Sequence, residues 1–324
     1  MLRLALVGLG HIGSIHTSAI TRIDGLQLVG GCDPDSLKAS VLPDMVPFFA
    51  SYAELGTSCD FDVAVVATPN RTHSALAQEV LASGRNVIVE KPAALSLDDF
   101  EGVQRTASDH GRHVYYAFHA ACAPEVRDLQ LHLAKHRETY GPITGFHSRF
   151  LDPYIDEQHS LVPSAKALDD PWSDSGVNAL SVLDAFVSLE VLDQAAVRRS
   201  GHAEEEPGVP SVSVAYSFPS GEHARGGFGL VETSWDQGLD HKSTTLYFGV
   251  KGWQIAVDHS QQEIRATNPV GEVREVAKFG GDRLLNHYLA VFSDYRDRVI
   301  NGLSMNDAAA RRIHSKVFEG MQAL

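Results

Sequence analysis

The stretch Leu4-Ala5-Leu6-Val7-Gly8-Leu9-Gly10-His11-Ile12-Gly13 decides how the first part of the chain folds. An apolar run leads directly into a Gly-x-Gly-x-x-Gly sequence, and residues 11–23 then have helical patterning. The first glycine permits a tight turn, the second lets a phosphate approach the backbone, and the third lets helix and strand pack closely. This context predicts a strand, a glycine-rich turn and a helix whose amino end attracts a dinucleotide pyrophosphate. The alternative is a cluster of turn glycines with no ligand.

Four further apolar runs, each separated from the next by residues with helical patterning, continue this arrangement. They cover residues 26–32, 63–67, 87–90 and 114–118. Continuous apolar runs joined by helices are typical of a parallel sheet that is covered on both faces. The sequence therefore predicts an α/β domain over residues 1–121, with a doubly wound parallel sheet of the Rossmann type.

The pattern changes after residue 121. Helical segments at 124–135 and 177–189 are followed, between 209 and 276, by strand-like segments separated by short turns. Successive strands with short links are typical of an antiparallel sheet. We expect an α+β domain over residues 122–304 with an open, mainly antiparallel sheet, and a last helix within 305–324 for which Asn306 is a candidate N-cap.

Composition and charge exclude several classes of protein. The 324 residues carry 27 Lys and Arg against 41 Asp and Glu, a net charge of −14, which disfavours a nucleic-acid partner. No apolar run approaches the roughly 20 residues that a membrane span needs, so no membrane partner is expected. Cys32, Cys59 and Cys122 fit neither a disulfide framework nor a zinc site, which favours a cytoplasmic protein. His132 and His136 have helical i, i+4 spacing, but no metal site is predicted from them.

Polar residues at the ends of the apolar runs predict the cofactor. Asp33 lies 20 residues beyond Gly13, after the second run, where a carboxylate would bind the ribose hydroxyls of the adenosine. Because a carboxylate repels a 2′-phosphate, NAD is favoured over NADP. The alternative for Asp33 is an Asp-Pro turn with Pro34.

Two short motifs follow the third and fourth runs. They are Thr68-Pro69-Asn70 and Glu90-Lys91-Pro92. Ligands of doubly wound sheets bind beyond the carboxyl ends of the strands, so both motifs fall on the cofactor side. A lysine at this place beside a nicotinamide is a candidate for proton transfer, and the alternative is an ordinary surface lysine.

The glycine motif, Thr68-Pro69-Asn70 followed by His73, and Glu90-Lys91-Pro92 together resemble the glucose-fructose oxidoreductase, inositol dehydrogenase and MocA family over essentially the whole chain. The resemblance implies NAD(P)-dependent hydride transfer on a small-molecule sugar or polyol, with Lys91 catalytic. It also implies a homodimer or homotetramer and a final helix, residues 305–324, that returns to the first domain. The cofactor-binding residues are then Gly8, Gly10, His11, Ile12, Gly13, Asp33, Thr68, Pro69, Asn70, His73, Glu90 and Lys91.

A second family signature corresponds to Asp174-Ser175-Gly176-Val177-Asn178-Ala179-Leu180-Ser181. Asn178 stands where the family usually has histidine, and this version resembles the aldose 1-dehydrogenase branch, which oxidises galactose or arabinose to the lactone. Asp174 and Asn178 are one helical turn apart and share a helix face. The resemblance implies that Lys91 and Asp174 form a proton relay while Asn178 orients the sugar O1 or ring oxygen. The alternative is that Asp174 only caps a helix.

Three further residues are candidates for substrate contacts: His119 at the end of the fifth run, Trp235 and Asp152. Their alternatives are a packed histidine, a core aromatic residue and a turn aspartate. Two other functions also remain open, namely another polyol or keto-sugar dehydrogenase of the same family and a non-catalytic, NAD(P)-dependent sugar sensor.

Overall fold

The computed structural model describes residues 1–158, 160–163, 165, 168–200, 210–219 and 226–322. They form two compact units that the chain enters twice each. The first unit contains Met1–His119 and Leu284–Ala310. The second contains Ala120–Arg283 and the residues from Arg311 onward.

A six-stranded sheet forms the centre of the first unit. Its order is β3-β2-β1-β4-β5-β6, and every neighbouring pair is parallel, which confirms the predicted Rossmann arrangement. All four residues of β4 are buried, as a strand covered on both faces requires. The elements are β1 Leu2–Val7, α1 His11–Ile20, β2 Leu26–Cys32, β3 Phe48–Phe49, α2 Tyr52–Ser58, β4 Val63–Val66, α3 His73–Ala82, β5 Asn86–Glu90, α4 Leu97–Asp109 and β6 Val114–Ala117.

The edge strand β6 is completed by a residue from late in the chain. Asn306 accepts a hydrogen bond from the Tyr116 amide at 3.0 Å and donates one to the Tyr116 carbonyl at 2.8 Å. The side chain therefore takes the place of a neighbouring strand, a role that the N-cap prediction did not include.

The second unit is built on an eight-stranded sheet in the order β14-β13-β12-β11-β7-β10-β9-β8. Every neighbouring pair is antiparallel except β7 and β10, so the predicted, mainly antiparallel sheet is confirmed. The elements are α5 Pro124–Lys135, α6 Arg137–Tyr140, β7 Gly145–Ile155, α7 Val177–Asp184, β8 Asp193–Ser200, β9 Ser211–Phe218, β10 Gly227–Gln237, β11 His241–Phe248, β12 Trp253–Asp258, β13 Glu263–Thr267, β14 Val273–Lys278, α8 Arg283–Asn301 and α9 Asp307–Gln322.

One face of this sheet is covered and the other is partly open. Helices α5 and α7 contact its strands, and alternate residues of β11 are buried. The period of two follows from the strand itself, because successive side chains point to opposite faces. The strand order ends at β14 on one side and β8 on the other, so the sheet is open, as the sequence predicts.

Trp172 anchors the turn that leads into α7. Its ring is fully buried, and its indole N–H donates to the Val317 carbonyl of α9 at 2.9 Å. A Cβ atom added at Gly320 would lie 2.5 Å from the indole nitrogen, so α9 needs a glycine there. This packing fixes the segment that carries Asp174.

The two compact units do not follow the expected limits of 1–121, 122–304 and 305–324. Residues Leu284–Ala310, most of which were expected in the second domain, pack with the first unit. Residues from Arg311 onward, which were expected to return to the first domain, pack with the second. The division of the chain into functional domains stays a prediction.

Candidate functional site

The glycine-rich turn after β1 leaves an open space at its middle glycine. Gly8 has φ +96°, and a Cβ atom there would lie 2.5 Å from the Ala67 carbonyl oxygen. At Gly13 a Cβ atom would lie 2.3 Å from the Gly8 carbonyl oxygen, whereas at Gly10 it would meet nothing within 4 Å. The backbone itself therefore requires the outer two glycines, and the space beside Gly10 can receive a ligand.

The amino end of α1 suits an anion. The helix begins at the exposed His11 and the half-buried Ile12. Its N-cap residue, Gly10, provides no side-chain hydrogen bond, and the first turn contains no acidic residue. Backbone N–H groups of a first turn have no partner within the helix, and the helix dipole favours negative charge there. A diphosphate fits these properties.

Asp33 is held at the mouth of the same turn. Its Oδ2 accepts from the Leu9 amide at 2.9 Å, and its Oδ1 accepts from the Asp35 amide at 2.9 Å. An ionised carboxylate has about four acceptor positions, so two remain for other donors. The residue is partly exposed, and its position fits the ribose hydroxyls of NAD.

His73 joins the two loops that follow β4 and β5. Its Nδ1 lies 2.8 Å from the Pro92 carbonyl and its Nε2 lies 2.6 Å from the Thr68 carbonyl. Burial lowers the pKa of His73, although both carbonyl contacts favour the protonated ring. His73 therefore holds the two loops together. The partly exposed Thr68, the exposed Pro69 and the buried Asn70 follow the carboxyl end of β4.

Glu90, the last residue of β5, is a buried carboxylate beside Lys91. Its Oε1 lies 2.9 Å from Nε2 of His16, and its Oε2 accepts from the Lys91 amide at 3.1 Å. Burial alone would raise the pKa of Glu90, but its interactions with His16, Lys91 and Tyr288 outweigh burial and lower the pKa. The structure thus places a charged carboxylate next to the candidate catalytic lysine, and sequence reasoning missed His16 and Tyr288.

His119 lies in the same part of the first unit. Its Nδ1 is 3.2 Å from Nδ1 of His287, and its ring centroid is 5.2 Å from that of Tyr288. Tyr288 also donates a hydrogen bond to Glu90. Two residues singled out in the sequence, Glu90 and His119, are therefore grouped around one tyrosine that was not.

In the second unit, Asp174 lies inside a π-helical turn, Trp172–Gly176, that continues into α7. Oδ1 of Asp170 accepts from the amides of Trp172 and Ser173, at 2.7 and 3.2 Å. Asp170 therefore satisfies the first two amides of the turn, as a capping aspartate does.

Asn178 offers a hydrogen-bond acceptor inside this unit. The residue is 6% exposed, and its Nδ2 donates a long bond, 3.5 Å, to the Asp174 carbonyl. Its buried Oδ1 has no hydrogen-bond partner among the residues that the structure describes. Leaving such an acceptor unpaired costs about 1–3 kcal/mol, which a ligand hydroxyl would relieve.

Asp152 is engaged by neighbours within the second unit. Ser175 donates to its Oδ2 at 2.5 Å, and Lys242 pairs with its Oδ1 at 2.8 Å. Lys242 also pairs with Asp240, which binds Arg283 at 3.2 Å. Asp152, the predicted sugar contact, is thus the most buried carboxylate in a series of ion pairs that the sequence did not predict.

Trp235 is 2% exposed and packs edge-to-face on Tyr154, with ring centroids 5.6 Å apart. The ring is therefore a core aromatic residue and offers no exposed platform for a sugar. Burial raises the pKa of Tyr154, and the charges of Asp174 and Asp152 raise it further. The phenol consequently stays neutral and remains a hydrogen-bond donor.

The described part of the chain contains neither a cluster of metal-binding side chains nor a membrane-spanning helix. Among those residues, no group of three or more His, Cys, Asp or Glu side chains could hold a metal ion. His132 instead binds the Tyr140 hydroxyl at 2.8 Å and packs on His136. No described helix has the length and apolar character needed to cross a membrane.

Comparisons with known proteins match the first unit most clearly. The model of the GFO_IDH_MocA family, described as an oxidoreductase family with an NAD-binding Rossmann fold, matches residues 2–118. A putative oxidoreductase, YceM, of Salmonella typhimurium is 31% identical over 153 residues, 44% of this chain and 49% of that protein. Inositol 2-dehydrogenase 1 of Saccharopolyspora erythraea is 33% identical over 102 residues, 30% of each.

Solved structures extend the likeness of fold to the whole chain. An oxidoreductase from Agrobacterium radiobacter, solved with NAD+, L-tartaric acid and magnesium, superposes with a TM-score of 0.78 at 16% identity and covers 99% of this chain and 96% of that one. By sequence, the chain spans only about a quarter to a half of the length of the first curated relatives. Residues 2–118 therefore match an oxidoreductase family with an NAD-binding Rossmann fold, and the rest of the chain resembles the solved structures in fold.

Proposed function

We propose that the protein is an NAD-dependent dehydrogenase of a sugar or polyol, and that it oxidises C1 of an aldose to the lactone. The observation that carries the proposal is the buried Oδ1 of Asn178, one helical turn after Asp174. This oxygen has no hydrogen-bond partner among the described residues. An acceptor of this kind suits a substrate rich in hydroxyl groups. The match of residues 2–118 to an oxidoreductase family supports the oxidoreductase class.

The residues of the first unit would hold the cofactor. The amino end of α1 and the space beside Gly10 suit the diphosphate, and Asp33 suits the ribose hydroxyls. A carboxylate at this position disfavours the 2′-phosphate of NADP. When bound, NAD supplies the redox chemistry, accepting a hydride from the substrate carbon.

Side chains of this protein carry out the acid–base catalysis. We assign proton transfer from the substrate hydroxyl to Lys91 and Asp174, without ordering the two. Asn178 orients an oxygen of the sugar, because an amide donates and accepts hydrogen bonds but does not titrate. His119 is proposed as a further substrate contact.

We also propose that the enzyme is an oligomer and that it is cytoplasmic. The partly open face of the eight-stranded sheet supports a homodimer or homotetramer, which analytical ultracentrifugation tests, since a monomer would contradict it. Three cysteines without disulfides, Cys32, Cys59 and Cys122, support a cytoplasmic protein.

A screen for NADH production tests the proposed reaction. NAD or NADP is supplied with a panel of aldoses, inositols and sugar acids, and we expect NADH to form with an aldose and a lactone to accumulate. Turnover of inositols or keto-sugars alone would instead favour a related polyol or keto-sugar dehydrogenase. Tight NAD binding with no turnover on any compound would favour a sugar sensor and contradict the proposal.

A further inference from the structure

We propose that His16 is a positioning residue for Lys91: it fixes the Glu90 carboxylate that accepts from the Lys91 backbone amide, and so ties Lys91 to helix α1. The inference rests on the proposed role of Lys91. It adds a function for a histidine that neither the sequence motifs nor the comparisons assign.

The geometry joins three residues through one carboxylate. His16 is 0% exposed on α1 and Glu90 is 5% exposed at the end of β5, with Nε2 and Oε1 2.9 Å apart. The other carboxylate oxygen accepts from the Lys91 backbone amide at 3.1 Å. Hydrogen bonds to an ionised group are roughly twice as strong as neutral ones, and burial strengthens them further. The two contacts therefore hold the Glu90 carboxylate in one position.

The surroundings of His16 determine which of its nitrogens carries hydrogen. Because an ionised carboxylate only accepts, Nε2 must donate to Glu90. The ring packs on Tyr288 and Phe292, with centroids 4.5 and 5.2 Å away, and Nδ1 has no partner among the described residues. A proton on Nδ1 would place an unpaired donor among aromatic rings, which is costly. Nε2 is therefore the nitrogen that donates to Glu90, and the charge of Lys91 also lowers the pKa of this carboxyl.

Other titratable groups of the first unit surround this arrangement. His73 interacts with the charges of both Glu90 and Lys91. Tyr288 donates to Glu90, and His119 and His287 lie beside Tyr288. The test therefore compares variants at one position, so that these groups contribute equally to each measurement.

Two substitutions at position 16 separate positioning from packing. His16→Leu keeps the bulk but removes the donor, whereas His16→Gln keeps an amide N–H near the place of Nε2. In the Leu variant we expect kcat to fall by about 10- to 100-fold, with a Kd for NAD within about threefold of wild type. The acid limb of the kcat profile should move up by about one pH unit, because Glu90 loses a donor that favours its charged form. The Gln variant should recover most of both effects.

His113 provides a matched control in the same unit. It precedes the amino end of β6 and lies 3.0 Å from the Tyr295 hydroxyl, so His113→Leu also removes a hydrogen bond from a histidine, here a partly buried one. We expect the pH profile of that variant to match wild type. Equal behaviour of His16→Leu and His16→Gln, or an unshifted profile in a folded Leu variant, would overturn the proposal.

A measurement without substrate covers the case in which His16→Leu does not fold. Lysines are methylated reductively with ¹³C, and the Lys91 signal is identified by its loss in Lys91→Arg. Glu90→Gln removes the negative neighbour, so the titration midpoint of Lys91 should fall by about one pH unit, and His16→Gln should leave it near wild type. An unchanged midpoint in Glu90→Gln would refute the inference. Wild-type turnover in Lys91→Ala would instead refute the proposed function. The Lys91 midpoints measured in the wild type, Glu90→Gln and His16→Gln do not depend on that result.

Discussion

A methyl group added at Gly10 should separate cofactor binding from folding. The backbone there has φ −70° and ψ −160°, which any L-residue adopts, and the added Cβ would meet nothing within 4 Å. Gly10→Ala should therefore leave the free energy of unfolding unchanged or raise it by up to about 1 kcal/mol, because alanine restricts the unfolded chain.

Binding of NAD should respond in the opposite way. The middle glycine of this motif lets the diphosphate approach the backbone, and a methyl group would hold it away. Losing one hydrogen bond to a charged group costs about 1.5–3 kcal/mol, which corresponds to a Kd for NAD about 10- to 150-fold weaker.

Calorimetric titration with NAD and thermal denaturation of the same samples measure both effects. Gly280→Ala is the matched control, since a Cβ atom at Gly280 also meets nothing within 4 Å, and it should leave Kd and Tm unchanged. A Gly10→Ala protein with wild-type Kd and Tm would show that this turn does not receive the dinucleotide.

Four other perturbations test separate parts of the structure. Lys91→Ala should lower kcat by at least about 100-fold, a typical acid–base contribution, and steady-state kinetics would expose a smaller loss. Asp33→Ser should raise the kcat/KM for NADP relative to NAD, and an unchanged ratio would remove Asp33 from the ribose site. Arg312→Ala breaks a two-bond contact, 2.9 and 2.8 Å, with the buried Asp184 carboxylate and should cost about 1–3 kcal/mol in urea unfolding, whereas the exposed Arg105→Ala should cost under about 0.5 kcal/mol. The folded-state pKa of Glu90 is lowered despite burial, so its charge stabilises the protein above about pH 4.3, and this stability is lost as pH falls. Glu90→Gln should therefore flatten the acidic part of the curve of Tm against pH.

The Rossmann half of the fold was predictable because its strands are buried on both faces. Such strands are continuous apolar runs, and the glycine motif marks the turn after the first. β3 escaped prediction because it has only two residues, Phe48–Phe49. Half-exposed strands carry a weaker signal, so β8, Asp193–Ser200, with exposed and partly exposed residues throughout, was also missed.

The candidate site was predictable only where one short motif contains the residues. Lys91, Asp174 and Asn178 lie in such motifs, but the partner of Glu90 is 74 positions away at His16. Lys242 did have a local signal, because its place two residues before Thr244 and four before Leu246 puts it on the same buried face of β11. A charged residue at such a position needs a buried counter-charge, which Asp152 provides.

The chain enters the first unit twice, and this affects how the unit can be made. Tyr288, which donates to Glu90, and Asn306, which completes β6, both follow the entire second sheet in sequence. During synthesis the nucleotide-binding half therefore remains unfinished until nearly the whole chain has left the ribosome. A gene fragment that ends where the family match ends, at residue 118, would encode a domain with an uncapped edge strand and an incomplete lysine environment. Unlike a domain formed by one continuous segment, the first unit cannot be moved into a fusion protein as one uninterrupted piece of the gene.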